Sequence, residues 1–462
     1  MAERTATRRG WIEKWDPEDE RFWESTGKRL AHRNLLLSVV SEHVGFSIWS
    51  MWSVLVLFLS EDIGLGFSAE QKFLLIVVPT LVGGLLRLPY SYAVTRFGGR
   101  DWTVFSAAIL LVPTGGAAYV VQRPGTPFWV FLLIAATAGV GGGNFASSMT
   151  NITIFFPQRH QGWALGLNAG GGNLGVAAVQ LLGLLVISTV GNTHPAWVVG
   201  AYLPVIALVA LFAALRMDNV AAVRAAPGAL REACAHPHTW LISVLYIGTF
   251  GSFIGYGFAC GLVLQSQFGS TPLEAMSFTF LGPLLGSVAR PLGGWLSDRW
   301  GGARVSLVVF LAMAAGTGVI VLASALVSFP LFIAGFTSLF VLSGIGNGSV
   351  YKLIPAVFAR EADRAVAAGS TPQASLARSR RLSGAALGIA GAVGSLGGVA
   401  INLVFRASYS GPDGSGVPAF LSFLGFYALC IVLIRLVYLR REPDAASAPA
   451  PVPVRDRAPS RL

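Results

Sequence analysis

Apolar runs long enough to cross a bilayer recur along the chain from Leu35 to Leu439. In lipid the backbone must satisfy its own hydrogen bonds, and runs of roughly 20 apolar residues do so as helices, whereas a barrel would show alternating strands of about 10 residues. The chain has 462 residues, of which 54% are hydrophobic and only 12% are charged, a composition that excludes an ordinary soluble domain. The sequence therefore predicts an all-α polytopic membrane protein.

Twelve transmembrane helices are predicted from these runs. Their spans are 34–60, 69–95, 102–122, 126–156, 161–190, 196–216, 237–267, 272–297, 304–326, 329–358, 382–408 and 417–440. The chain accordingly divides into an N-terminal tail, an N-terminal six-helix half, a central loop, a C-terminal six-helix half and a tail, with the bounds 1–33, 34–216, 217–236, 237–440 and 441–462. The last segment is rich in Pro and Ala, so we expect it to be disordered.

The net charge of +11 lies mainly in alternate loops. Lys and Arg crowd the segment before the first helix, whereas the loop after that helix, EDIGLGFSAE, contains neither. By the positive-inside rule, both termini and the central loop are predicted to be cytoplasmic, in the inner (plasma) membrane of a cell. This distribution explains the basic charge through the lipid bilayer and requires no nucleic acid. The hydrophilic start predicts no cleaved signal peptide.

Isolated polar and aromatic residues give weaker indications. Four aromatic side chains before the first helix suit either an interfacial amphipathic helix or a solvated tail, and they are Trp11, Trp15, Phe22 and Trp23. The three cysteines are far apart in sequence and predict neither a disulfide framework nor a metal site. His236 and His238 are predicted to form an exposed pair without a metal.

An internal repeat relates the two halves. LLRLPYSYAVTRFGGR contains Arg87, and 203 residues later VARPLGGWLSDRWGGAR contains Arg290; the same offset relates Asn144 to Asn347. Further along, ALGLNAGGGNLG matches ALGIAGAVGSLG at an offset of 222, which places the additional residues of the second half in the loop 360–381. Parallel halves with a substrate site between them at the midplane are typical of transporters.

These motifs resemble those of a known family. GGWLSDRWGGAR resembles the loop motif of the major facilitator superfamily, and YSYAVTRFGGR resembles its first copy, although Thr95 stands where the second copy has Asp298. GVGGGNFASSMTNITIFFPQRHQGWALGLNAGGGNLG and SGIGNGSVYKLIPAVF are similar to the two signatures of the nitrate/nitrite porter family. The resemblance implies a major facilitator fold with two six-helix halves. The signature residues that we single out are Asn144, Asn347, Gly166, Gly170 and Gly171.

Glycines four residues apart recur beside these signatures. The pairs and triples are Gly139/Gly143, Gly162/Gly166/Gly170, Gly384/Gly388 and Gly394/Gly398. Helices in lipid pack closely through small residues, so the stripes predict smooth contact faces between helices that slide past one another. Ordinary packing in a static bundle is the alternative. Asn173 follows Gly170 by three residues, which places a neutral amide on the same stripe.

Arg87 and Arg290 carry the prediction about substrate. Each lies nine residues before the next arginine, Arg96 or Arg299, which at 1.5 Å per residue places it roughly 13 Å into the membrane. An arginine at that depth costs at least ~2.5 to 3.5 kcal/mol, so a functional role is the first hypothesis. A guanidinium offers two parallel N–H donors that match two oxygens of a trigonal oxyanion such as nitrate. A buried ion pair with a carboxylate is the alternative.

The family resemblance implies the rest of the substrate site. The paired arginines of the family fall on Arg87 and Arg290, and its other substrate contacts fall on Phe145, Asn173, Tyr246 and Phe250. Tyr246 and Phe250 are four residues apart and so share one helix face. Core packing is the alternative for these aromatic residues.

Glu42 and His43 lie about a third of the way into the first predicted helix. A carboxylate beside a histidine at this depth is a candidate for proton coupling; a structural pair near the cytoplasmic mouth is the alternative. Lys352 is expected either to reach the cytoplasm or to line the exit path.

The function that follows is transport of nitrate and nitrite by alternating access, most economically as an exchange of one for the other. Proton-coupled nitrate import is the alternative within transport, and a membrane receptor that binds nitrate without moving it is the alternative from another class. We expect no enzyme activity, because no nucleophile with a base and no ligand cluster is apparent in the sequence. We also expect no cofactor, no metal and a monomer.

Overall fold

The computed structural model describes residues 6–7, 11–221, 228–411 and 414–439. It confirms the all-α membrane fold with twelve long helices, which we number α1 to α12 in chain order. They span Glu20–Phe58, Ala69–Phe97, Gly99–Val120, Phe128–Phe155, Gln158–Val190, Ala196–Arg216, Pro237–Phe268, Pro272–Trp300, Gly302–Ala325, Phe329–Ala367, Pro372–Tyr409 and Val417–Leu439. In α8 the helix is interrupted at Phe280, between Pro272–Thr279 and Leu281–Trp300.

Eleven of these helices, counted within the described residues, are long and apolar enough to cross a membrane. The twelfth is α8, whose second segment carries Arg290, Asp298 and Arg299 together with four glycines. Polar and small residues lower its hydropathy, which is expected of a helix that lines a site between the halves rather than facing lipid alone.

The two halves are α1–α6 and α7–α12. Within each half the helices pack as a bundle, for example α1 on α5, α2 on α4, and α8 and α9 on α10. Between the halves α2 packs against α11, and α5 packs against α8. We call the face that carries the segments before α1 and between α6 and α7 the basic face, and the other end of the bundle the opposite face.

At the opposite face the halves are in contact. Glu70 at the start of α2 forms an ion pair with Arg406 at the end of α11. One turn further in, the ring of Phe73 stacks on that of Tyr409 with centroids 6.0 Å apart, and Gln180 of α5 donates a 2.8 Å hydrogen bond to the carbonyl of Gly257 in α7. These contacts close the bundle on this side.

Several glycines of the predicted stripes have free space around them near the basic face. A Cβ added at Gly162, Gly166, Gly384 or Gly388 would have no heavy atom within 4 Å among the described residues, and one at Gly170 would have only the carbonyl oxygen of Ser287, at 4.0 Å. These glycines therefore make no close contact between helices in this conformation. The described contacts of Gly143 and Gly394 are of the predicted kind, because each lies directly against a tyrosine ring, that of Tyr90 or Tyr246.

The aromatic residues around the start of α1 pack against the N-terminal half. The indole N–H of Trp15 donates to the carbonyl of Ile154 at 3.1 Å, and Trp23, only 1% exposed, packs on Phe156. The segment that carries them is thus held against the ends of α4 and α5, which differs from a solvated tail. Three two-residue strands, Ala6–Thr7, Trp11–Ile12 and Asn219–Val220, join it to the residues after α6.

Several helix bounds also differ from the prediction. The predicted loop 360–381 is mostly helix, because α10 continues to Ala367 and α11 begins at Pro372. The tail 1–33 likewise becomes helical at Glu20. Hydropathy locates the membrane rather than the helix end, and Ala, Arg and Glu continue a helix readily in water. A short helix, Ala229–Ala235, lies in the predicted central loop and is called the central helix below. The predicted disordered tail 441–462 lies outside the described residues.

Candidate anion-binding site

Arg87 lies at the middle of α2 and is 1% exposed. Its Nη1 donates a 2.8 Å hydrogen bond to the carbonyl oxygen of Gly391 in α11. A side-chain donor of the N-terminal half therefore reaches the backbone of the C-terminal half. A Cβ at Gly391 would lie 3.6 Å from the same nitrogen, in ordinary van der Waals contact with the guanidinium.

Aromatic rings from both halves cover this guanidinium. The Cζ of Arg87 lies 4.5 Å from the ring centroid of Phe145 in α4 and 4.9 Å from that of Phe250 in α7. The indole ring of Trp49 in α1 lies 5.5 Å away. An arginine face-on to aromatic rings is stabilised by their quadrupoles while its N–H edge stays available for hydrogen bonds.

Arg290 occupies the matching position in α8 and is 5% exposed. Its Nη2 donates to the hydroxyl of Tyr246 at 3.2 Å, and its Cζ lies 5.6 Å from the ring centroid of Tyr351 in α10. The ring of Tyr246 also packs on that of Tyr351, with centroids 5.0 Å apart. Arg290 therefore has a tyrosine cage where Arg87 has a phenylalanine and tryptophan cage.

A π-helical turn in α7 brings the two aromatic sets together. Residues Ile247–Gly251 form this turn, and across it the rings of Tyr246 and Phe250 stack in parallel, 5.1 Å apart and 8° from coplanar. π-Helical turns recur at functional sites because they redirect side chains that a regular helix would stagger. Here the turn presents one ring to each arginine.

Three nitrogen atoms of the two arginines have no hydrogen-bond partner within the described chain although they are buried. They are Nε and Nη2 of Arg87 and Nη1 of Arg290. Buried donors normally have partners, and the two guanidinium groups interact electrostatically with each other. Donors left over on two buried cations are the arrangement expected where a small anion with several acceptor oxygens binds.

The predicted amide side chains are buried. Asn173 of α5, Asn144 of α4 and Asn347 of α10 each have both side-chain amide atoms buried and without a hydrogen-bond partner among the described residues. Asn144 packs on α1, because a Cβ at Gly45 would lie 2.6 Å from its Nδ2. Its contact is with a neighbouring helix of the same half.

Glu42 and His43 lie on α1 beside α4 and α5. Glu42 is completely buried, and it accepts hydrogen bonds from Ser148 of α4 and Asn168 of α5. The Nδ1 of His43 lies 3.0 Å from the carbonyl oxygen of Gly171. Of the predicted signature glycines, Gly171 thus approaches α1, whereas Gly166 does not approach any side chain that the structure describes.

Sequence reasoning missed several residues of the site. Tyr351 lies inside the second signature, four residues after Asn347, and this spacing could have indicated that it faces the same way. Ser148 and Asn168 lie inside the first signature and Gly391 lies inside the repeat ALGIAGAVGSLG, but small and polar residues are common in both motifs, so residue type did not single these three out. Their roles depend on how the helices meet.

The loop motifs take different contacts in the two halves. Lys352, expected either to reach the cytoplasm or to line an exit path, forms a 2.7 Å ion pair with Asp298 of α8. At the corresponding place in the N-terminal half, the hydroxyl of Thr95 donates to the carbonyl of Tyr92 in its own helix. Within the described residues, no three His, Cys, Asp or Glu side chains group as metal ligands.

Two six-helix halves around a buried pair of arginines define a secondary transporter fold. The sequence model of the Major Facilitator Superfamily matches residues 43–401. A crystal structure of a D-xylose-proton symporter superimposes with a TM-score of 0.63 at 15% identity, covering 88% of this chain and 97% of that one. At this identity the similarity concerns the fold alone.

Curated relatives identify the family within this superfamily of transporters. Over 94% of this chain and 97% of its own length, the "Nitrate/nitrite transporter NarU" of Salmonella typhimurium is 38% identical. The "Probable nitrate/nitrite antiporter NarK2" of Thermus thermophilus is 35% identical over 75% of this chain and 83% of its own. The chain belongs to the nitrate/nitrite porter family of the Major Facilitator Superfamily.

Proposed function

We propose that this chain carries nitrate and nitrite across a membrane by alternating access, and that it exchanges one anion for the other. The observation that carries the proposal is the pair Arg87 and Arg290. Both are buried at equivalent positions of the two halves, and each has an N–H donor without a hydrogen-bond partner among the described residues. The names of the relatives NarU and NarK2 agree with this substrate class.

The chemistry of the site suits a flat, weakly basic oxyanion. A guanidinium offers two N–H donors in one plane, and a trigonal anion offers two oxygens in one plane, so each arginine takes one edge of the anion. The rings of Phe145, Tyr246 and Phe250 line the site with apolar surface, which strengthens electrostatic attraction by excluding water. We assign these residues and Asn173 as the substrate contacts.

Alternating access follows from where the halves touch. The ion pair between Glu70 and Arg406 and the stacking of Phe73 on Tyr409 close the opposite face, while the glycines at the basic ends of α5 and α11 have free space. The conformation is therefore open toward the basic face. Closing that face and opening the other would move the anion across.

We assign the basic face to the cytoplasm, in the inner membrane of a bacterial cell, because Lys and Arg are retained on that side. Both termini are then cytoplasmic, and the conformation is inward-open. One chain contains both arginines and all the cage rings, so a monomer contains a complete site.

Counterflow in proteoliposomes tests this function. Vesicles loaded with nitrite should take up labelled nitrate against its gradient after the proton gradient has been collapsed, whereas vesicles loaded with chloride should not. Protein that lacks both arginines, reconstituted at the same density, is the control. Equal uptake by chloride-loaded and nitrite-loaded vesicles would contradict exchange.

Proton-coupled nitrate import is the second candidate, and one observation favours it. Glu42 is completely buried beside α4 and α5, with one carboxylate oxygen unpartnered among the described residues. A carboxylate in such surroundings is a potential proton acceptor. Uptake driven by a pH gradient alone would support this candidate.

A further inference from the structure

Glu42 lies in a hydrogen-bond network that accommodates the carboxylate with or without a proton. Its Oε2 contacts both Ser148 Oγ and Asn168 Nδ2. The same Ser148 hydroxyl lies 3.0 Å from the carbonyl oxygen of Phe145 and receives a 2.8 Å hydrogen bond from Asn168. A serine hydroxyl has one hydrogen to donate, so it cannot satisfy the carbonyl and the carboxylate at once.

The two protonation states use that hydroxyl differently. If Glu42 is ionised, Ser148 turns its hydrogen toward the carboxylate. If Glu42 carries a proton, the carboxylic acid donates to Ser148, and Ser148 donates to the carbonyl of Phe145. Ser148 and Glu42 stay hydrogen-bonded in both states, but the carbonyl of Phe145 receives the Ser148 hydrogen only when Glu42 is protonated. The protonation state therefore reaches the residue whose ring lies on Arg87.

The network is also coupled to the anion site through charge. The ionisable groups that interact electrostatically with Glu42 are Arg87 on α2, Tyr246 on α7, Arg290 on α8 and Tyr351 on α10. His43 is its neighbour on α1, and its hydrogen-bond partners on α4 and α5 among the described residues are the neutral Ser148 and Asn168. An ionised Glu42 and a bound anion therefore compete for the same two cations. In a buried site such competition is poorly screened.

We infer that Glu42 is a proton-binding site linked to the anion site, so that the carrier binds nitrate together with a proton on Glu42. The inference rests on the proposed function and deepens it. Linkage is reciprocal: protonation of Glu42 strengthens nitrate binding, and nitrate binding draws a proton onto Glu42. In exchange the proton remains on Glu42 in both loaded forms, so no net proton crosses.

The test is the affinity of purified, detergent-solubilised protein for nitrate, measured by thermal stabilisation from mildly acid to alkaline pH. Nitrate itself does not titrate in this range, and arginine stays charged. Wild-type affinity should fall as pH rises, by about fivefold or more in total, the usual size of coupling between sites. Glu42→Gln should be independent of pH, at the affinity of the wild type in acid.

His43 is the matched control, because a histidine that binds a proton would also make nitrate affinity fall as pH rises. His43→Asn should keep the slope of the wild type; a flat profile in His43→Asn with the slope retained in Glu42→Gln would assign the proton to His43 and overturn the inference. A second measurement needs no variant. When nitrate is added to weakly buffered wild-type protein, the protein should take up protons and the pH of the solution should rise. Nitrate binding without proton uptake at any pH overturns the inference alone, whereas no nitrate binding at all overturns the proposed function with it.

Discussion

At the scale of single residues, the two arginines differ from lysines in the number of N–H donors that remain available to a ligand. Each guanidinium lies against aromatic rings and still has an unpartnered donor, which a planar group with five N–H bonds can provide. An ammonium would keep the charge and lose the second parallel donor. Charge alone would not hold a trigonal anion in one orientation.

Arg290→Lys should therefore weaken nitrate binding by about tenfold or more, the effect of losing one hydrogen bond to a charged group. Arg87→Lys should have a similar effect and should also lose the contact with the carbonyl of Gly391. Nitrate-dependent thermal stabilisation measures the affinity, and counterflow measures transport. Arg435→Lys on the exposed surface of α12 is the control. Affinity close to that of the wild type in Arg290→Lys would exclude two-donor binding.

At the scale of helices, the glycines of α5 divide into two groups. Gly172 and Gly175 lie directly against α1, where an added Cβ would collide with the side chain of Glu42 or the carbonyl of His43. Gly162 and Gly166 lie on the basic half of the helix with free space around them. One group holds the half together, and the other faces the gap that must close during transport.

Leucine substitutions should separate these groups. Gly175→Leu should prevent folding, because the approach of α1 leaves no room for a side chain. Gly166→Leu should fold normally and lose most transport, because a leucine fits the open state and obstructs closure of α5 on α8. Size-exclusion profile and thermal stability report folding, and counterflow reports cycling.

Gly425→Leu is the control for this pair, since Gly425 is an exposed helical glycine of α12 with no neighbour within 4 Å among the described residues. It should fold and transport. Gly191 is unsuitable as a control, although it also has free space, because its φ of +89° disfavours any side chain. Normal transport by Gly166→Leu would argue against closure along this face.

The same helices indicate what the sequence could predict. Hydropathy located the membrane spans, and the repeat located Arg87 and Arg290, because both signals are carried by residue type and spacing. Glycine spacing alone could not distinguish Gly166 from Gly172, because the difference depends on which neighbour is close in one conformation. Ser148 and Asn168 lie inside the first signature, but their contact with Glu42 could not be predicted, since Glu42 is more than 100 residues away in sequence.

The central helix provides a pH-dependent contact outside the membrane. Glu232 accepts hydrogen bonds from Arg378 and Arg381 of α11, and the bond from Arg378 lowers the pKa of Glu232 below its usual value of 4.5. A lowered folded-state pKa means that the contact stabilises docking above the usual pKa and loses that effect as pH falls through the folded-state value.

Hydrogen exchange of Ala229–Ala235 should therefore be constant from neutral to mildly acid pH, once corrected for intrinsic rates, and should rise only in more acid solution. Glu232→Gln should exchange faster at neutral pH and lose this acid dependence. Equal protection of the wild type and Glu232→Gln at neutral pH would mean that the ion pairs do not hold the central helix.

At the scale of the whole molecule, the empty carrier has two buried cations near each other and one buried carboxylate. Closing both faces encloses these charges completely and leaves them no access to water or free ions, which is costly without a counter-ion. A bound nitrate or nitrite supplies the counter-ion, so only the loaded carrier should pass easily between its two open states.

Exchange should consequently run faster than net uptake, by about tenfold for every 1.4 kcal/mol that empty closure costs beyond loaded closure. The comparison uses one preparation of proteoliposomes, with nitrite inside for exchange and no permeant anion inside for net uptake, and with an ionophore to dissipate the membrane potential. Because the loaded forms carry the same charge and the same proton, collapsing the pH gradient should leave exchange intact. Strong net nitrate uptake driven by a pH gradient alone, and lost in Glu42→Gln, would show instead that the empty carrier returns readily and that the proton on Glu42 crosses with the anion.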